Sequence, residues 1–202
     1  MLVMRIFITV LVLIFSLQSW TKADDISDFQ IEGMSIGDSL LDHFSDVEIK
    51  KGKINNYPKS KKFSSIKFWE PTFNFETYDS ISISFKTNDK NYQIFGLAGA
   101  VFYDLDEKNI EDCYKKKDEI VEVLSNLFEN TNIYDDGIKK YPADPTGEST
   151  VNTVYFDFKS GASAKVGCAD YSKEKEKDGF SDHMQISIYS KVFVDFLSDE
   201  AY

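Results

Sequence analysis

The chain has 202 residues, a length suited to one domain. Its 34 Asp and Glu against 23 Lys and Arg give a net charge of −11, which argues against general nucleic-acid binding; 15% aromatic and 42% hydrophobic residues argue against intrinsic disorder. Arginine occurs once, at Arg5, so the rest of the chain offers no guanidinium for bidentate recognition of phosphate or carboxylate.

The first segment reads as an export signal. Residues 1–5 carry one positive charge, residues 6–15 are apolar but for Thr9 and uncharged throughout, and Thr21-Lys22-Ala23 puts small residues where a signal peptidase needs them. Cleavage is expected after Ala23, leaving a single domain over 24–202, periplasmic or secreted. The apolar run is shorter than the roughly 20 residues a spanning helix needs, so no transmembrane segment should remain. Cys113 and Cys168 are an even count in such a chain, and one disulfide is the default reading. They lack paired-ligand spacing for zinc.

Along the mature chain, residues 26–32 read as extended and 33–37 as a turn. Residues 38–44 read as a short helix with Leu40, Leu41 and Phe44 on one face, capped by Ser35 or Asp38. A second helical turn over 46–51 ends at Gly52. Strands are expected over 63–69, 79–87 and 92–103. The middle one alternates Ile81, Ile83 and Phe85 against Ser80, Ser82, Ser84 and Lys86, so one face of the sheet should be wet. Gly96, Ala98, Gly99 and Ala100 leave room for something packed closely above, most simply a helix.

Residues 107–129 carry the clearest helical pattern. Ile110, Cys113, Ile120, Val121, Leu124, Leu127 and Phe128 form its apolar stripe, Lys115, Lys116 and Lys117 lie mainly opposite, and Asp104 or Asp106 is the expected cap. Residues 131–152 read as a long loop. Strands follow over 153–159, 162–171 and 184–190, with a charged connection over 172–179. Residues 191–197 either extend the last strand or form a terminal helix. The expected fold is α+β: an antiparallel sheet of about six strands, the long helix 107–129 packed on one face, and a short N-terminal helix. The order hints at duplicated α-β-β-β units, 24–104 and 105–202.

Two short motifs overlap near the N-terminus. Gly33-Met34-Ser35-Ile36-Gly37 fits G-x-S-x-G, and Gly37-Asp38-Ser39-Leu40 fits the signature of GDSL serine hydrolases. A nucleophilic serine needs a strand-to-helix turn, a base and oxyanion donors. Here the preceding segment is charged, Lys86 stands where a glycine should precede Asn88-Asp89, and Phe180 stands three residues before His183. An exported hydrolase using Ser39 with His183 is therefore the alternative reading, and the glycines serve the turn. His43, four residues after Ser39, reads as a surface contact.

Asp104, Asp106, Glu107, Asp135 and Asp136 could suit calcium, but no EF-hand spacing exists, and capping is the simpler role. No metal or cofactor is expected. Residues 50–67 reverse the sign of the chain locally, with Lys50, Lys51, Lys53, Lys59, Lys61, Lys62 and Lys67 interleaved with Tyr57, Phe63, Phe68 and Trp69. Lys59, Lys61, Lys62 and Trp69 are the candidate binding residues for an anionic lipid, a polyanion or an acidic partner. The alternative is a solvated loop that balances the acidic remainder.

The run ISDFQIEGMSIGDSLLDHF at 26–44, with Gly99 and Cys113-Tyr114-Lys115-Lys116 further on, resembles small exported proteins of unknown function from Pelagibacter-like marine alphaproteobacteria. The excess of lysine over arginine is consistent with their AT-rich genomes. The resemblance implies export and supplies no activity or site. The Gly-Met-Ser turn before a helix is also similar to small envelope-assembly lipoproteins, although no lipid-attachment cysteine is present. The expected function is an exported, non-catalytic binding or envelope-associated protein. Its partner would be an envelope protein or an anionic ligand, met by the open sheet face and by residues 50–67.

Overall fold

The serine–isoleucine alternation of residues 80–86 builds a strand with an apolar, dry face and a polar one, called the wet face although Ser80 and Ser84 on it are themselves buried. Seven further strands join it in one antiparallel sheet. The computed structural model describes residues 25–69, 71–103, 109–128 and 130–202. The expected signal peptide 1–23 and Asp104, Asp106 and Glu107 lie outside the described residues.

The strands are β1 (Lys53–Asn56), β2 (Phe63–Trp69), β3 (Ser80–Lys86), β4 (Gly96–Phe102), β5 (Thr131–Lys140), β6 (Thr150–Phe158), β7 (Ser163–Asp170) and β8 (His183–Tyr189). Their spatial order is β1-β2-β3-β4-β8-β7-β6-β5. Each half of the chain is thus a four-stranded meander, and the two meet where β4 pairs with β8. The helices are α1 (Asp46–Ile49), α2 (Ile110–Leu127), α3 (Lys173–Lys177) and α4 (Lys191–Asp199).

The six expected strands become eight because the two sheet edges carry little alternation. All four residues of β1 are exposed, and most of β5 is exposed too. Neither edge has a dry face to write a period-two pattern. Residues 131–140, expected to be loop, form β5 with a bulge between Asp135 and Ile138. The charged connection contains α3, and residues 191–199 are helical, capped by Ser190. The expected strand over 92–103 begins only at Gly96, because Tyr92 takes a φ of 48°, outside extended geometry.

The dry face takes Ile66 and Phe68 from β2, Ile81, Ile83 and Phe85 from β3, Ile186 and Ile188 from β8, and Val166 and Cys168 from β7. Each such side chain contributes roughly 1.5–3 kcal/mol by leaving water. The segment before β1 covers the first meander: Ile26, Ile31, Met34, Leu40 and Ile49 are buried, and Phe44 stacks on Phe68 at 4.5 Å. Helix α2 covers the second meander. Its N-cap is Asn109, in a capping box with Asp112, in place of Asp104 or Asp106. Its apolar stripe packs as expected, with one addition. Lys117, one turn after Cys113, lies on the buried side, where its ammonium donates to Asn152 Oδ1 at 2.7 Å. Cys113 and Cys168 are bridged, tying α2 to β7.

The small residues of β4 do receive close neighbours, one on each face. A Cβ on Gly99 would fall 2.5 Å from the Tyr78 ring on the dry side. A Cβ on Gly96 would fall 2.7 Å from the ring of Phe193 in α4, on the wet side. Helix α4 therefore lies across one end of the wet face, where Phe193, Phe196, Phe63 and Ala201 form a second, smaller core.

Candidate functional site

The wet face is polar by register. One row of residues crosses all eight strands: Lys53, Lys67, Ser82, Ala98, Ser187, Lys165, Tyr155 and Tyr134. Lys67 and Lys165 flank a floor of small side chains, four strand spacings or about 19 Å apart along the sheet. The charged positions of this face are Lys53, Lys67, Lys86, Lys139 and Lys165 against Asp157 and Asp136, and Asp136 is paired with Lys139. In a chain with 34 acidic residues, that local excess of cations is a strong segregation.

Each central lysine leans on an aromatic ring. Lys67 Nζ lies 3.8 Å from the centre of the Trp69 ring, two residues on along β2. Burial, with the Lys53 charge across the strand pair, pulls the Lys67 ammonium down to about 8. Lys165 Nζ lies 5.2 Å from the Tyr189 ring centre. The Tyr189 phenol holds the Lys165 ammonium above its usual range, against the opposing effect of desolvation. Among the described residues, neither lysine forms an ion pair with a carboxylate.

Between α4 and this face lies a cavity of about 240 Å³. Ser82, Ser84 and Ala98 form its floor, Phe193 and Leu197 stand over it, and Tyr57, Tyr189, Tyr202, Gln185 and Lys165 line its sides. Burial pushes the Tyr57 hydroxyl up to about 12, and that hydroxyl shares a hydrogen bond with Ser84 Oγ at 3.3 Å. At the other end of the face Trp69 stacks on Phe102 at 6.0 Å, and Phe102 meets His183 edge-on at 6.1 Å.

The residues expected to bind do not form one cluster. Lys59, Lys61 and Lys62 lie in the loop between β1 and β2, beside the end of α4. The Lys59 N–H donates to the Ala201 carbonyl, and Lys62 pairs with Glu200 at 2.7 Å. Trp69 is at the far end of β2, about 20 Å from that loop along the strand. Lys67 is its cationic neighbour instead.

Ser39 and His183 are not brought together. Ser39 bridges to Gln93, ahead of β4, whereas His183 pairs with Phe102 at the end of β4. Nine residues of near-extended chain separate those points, about 30 Å. Ser39 Oγ donates to the Asn91 carbonyl at 2.7 Å and accepts from the Leu41 N–H at 3.2 Å. It is the N-cap of a single 3-10 turn, Leu40–Asp42, which replaces the expected helix over 38–44 and its expected caps. His43 Nε2 lies 3.4 Å from Asp38 Oδ2, and Asp38 also accepts the Ser35 N–H. Asp135 accepts the Gly137 N–H and Asp136 pairs with Lys139, so both serve the β5 bulge.

Lys165, Gln185 and Tyr189 were not singled out by sequence. Their signal is weak: polar residues at outward positions of otherwise apolar strands. No protein-family model, no curated protein and no solved structure matches this chain.

Proposed function

We propose that this chain is an exported, non-catalytic binding protein that takes an anionic partner on the wet face of its sheet. The observation that carries this reading is the face's charge: five lysines to two aspartates in an acidic chain, with Lys67 and Lys165 kept partly desolvated and, among the described residues, without carboxylate partners. Desolvating the unpaired Lys67 ammonium opposes folding, and an arriving anion would relieve that cost. The export half of the reading rests on residues 1–23 and on the likeness to small exported marine bacterial proteins. The Cys113–Cys168 bridge is compatible with it, as is the lack, among the described residues, of a helix long and apolar enough to cross a membrane. The hydrolase alternative lacks support: the Ser39 proton is committed to Asn91, and His183 is remote.

Retention on immobilised poly-L-glutamate at low salt tests the binding reading. The combined variant Lys53→Gln, Lys67→Gln, Lys165→Met should lose at least about tenfold in retention. Lys59→Gln, Lys61→Gln, Lys62→Gln should lose less, because that loop borders the face and Lys62 is already paired. Unchanged retention of the first variant would exclude this face.

A further inference from the structure

The cavity under α4 combines three properties. It is walled by apolar side chains on the helix side, Phe193 and Leu197. It is floored by small residues, Ser82 and Ala98, that leave space above the sheet. One ammonium, that of Lys165, reaches it from β7, and among the described residues no carboxylate pairs with that ammonium. The Tyr189 ring lies 5.2 Å from that ammonium, and no Asp or Glu is among the lining residues, so Lys165 is the one charged side chain of the site.

We infer that this cavity binds a small organic monocarboxylate with a short apolar body. The inference rests on the binding function proposed above and names the ligand class for it. A monoanion balances one ammonium. A phosphate's further charge would meet only hydroxyls and the Gln185 amide, because no arginine is present beyond Arg5. Further donors line the floor: the Gln185 amide, which also donates to Ser187 Oγ at 2.8 Å, and, three strands across from Lys165, the Ser82 hydroxyl. The apolar body packs against Phe193 and Leu197. At ~30 Å³ per water the volume equals about eight waters, room for a molecule of the size of benzoate or hexanoate.

Calorimetry and amide-shift titrations of the purified protein with benzoate and hexanoate test this. Benzamide, hexanol and inorganic phosphate serve as controls. The carboxylates should bind at least about tenfold more tightly than the controls, with the largest shifts at Ser82, Ala98 and Lys165. Lys165→Met should weaken binding by at least about tenfold. Leu197→Trp, which fills the cavity from the helix side, should abolish it while the protein stays folded, as the amide spectrum of the free variant checks. Should Lys165→Met fail to fold, Leu197→Trp and the wild-type shift map decide. Carboxylates that bind no better than their neutral counterparts, shifts that fall elsewhere, or a folded Lys165→Met of unchanged affinity would overturn the inference. If the carboxylates fail while poly-L-glutamate is still retained, the ligand class is wrong and the face reading stands. If both fail, both are wrong.

Discussion

Lys67 Nζ sits 3.8 Å above the Trp69 ring, on the same face of the same strand, with the Lys53 charge across the strand pair. Alternation puts the two β2 residues together; desolvation and Lys53 then lower the ammonium to about 8. A lysine held this way opposes folding, and the ring returns part of that cost.

The pH dependence follows from that shift. Below pH 8 Lys67 is protonated in both states, and its cost is constant. Between about 8 and 10.5 the unfolded chain keeps a proton that the folded chain has shed, so the Lys67 contribution makes stability rise with pH. Lys67→Met should therefore be more stable than wild type at pH 7, by about 1–2 kcal/mol after allowance for screening and the ring contact. The advantage should shrink as pH rises through that window. Urea midpoints at pH 7 and pH 10 measure both effects.

The bridge between α2 and β7 spans a sequence separation of 55. Closing such a loop stabilises by about 4 kcal/mol in the chain-entropy view. Cys113→Ala with Cys168→Ala should lower stability by about that amount. Denaturant unfolding checks it, and thiol titration of the wild-type protein should find no reactive group before reduction.

Gly99 meets Tyr78, a nearly buried side chain whose hydroxyl burial drives well above its usual range. Gly99→Ala should destabilise by about 1–3 kcal/mol through overpacking. Adding Tyr78→Leu should cost less in that background than in wild type. The coupling is read from a double-mutant cycle of unfolding free energies.

Ser39 caps a 3-10 turn and ties it to the chain at Asn91. Ser39→Ala should cost about 1 kcal/mol of stability. A fluorophosphonate probe should label neither wild type nor variant. Labelling of wild type that disappears in Ser39→Ala would restore the hydrolase reading.

The dry face was legible because burial writes a pattern. Residues 63–69 are the strand the sequence indicates, and Ile81, Ile83 and Phe85 are dry as their spacing requires. Cys113 lies on the helical stripe, and its bridge follows from the even count. The sheet edges were hidden because exposed strands such as β1 have no hydrophobic period. Lys117 was hidden because charge suggested solvent, whereas its spacing from Cys113 placed it on the buried side. The site was hidden for a related reason. Lys165 and Tyr189 are 24 positions apart in sequence and meet only through the β7–β8 register, which pairs Ser163 with Tyr189 and Lys165 with Ser187. The lysine-rich run drew attention to Lys59, Lys61 and Lys62 through local density, but the floor beside Lys67 comes from β3, β4 and β8.

Amide-shift mapping of the isotope-labelled protein during titration with poly-L-glutamate tests the central claim most directly. The predicted result is a contiguous set of shifts on β2, β3, β4, β8 and β7, strongest near Lys67 and Lys165, that weakens as salt is raised. Shifts confined to α2 or to the Ser39–His43 turn, or no shifts at low salt, would contradict a binding role for the wet face.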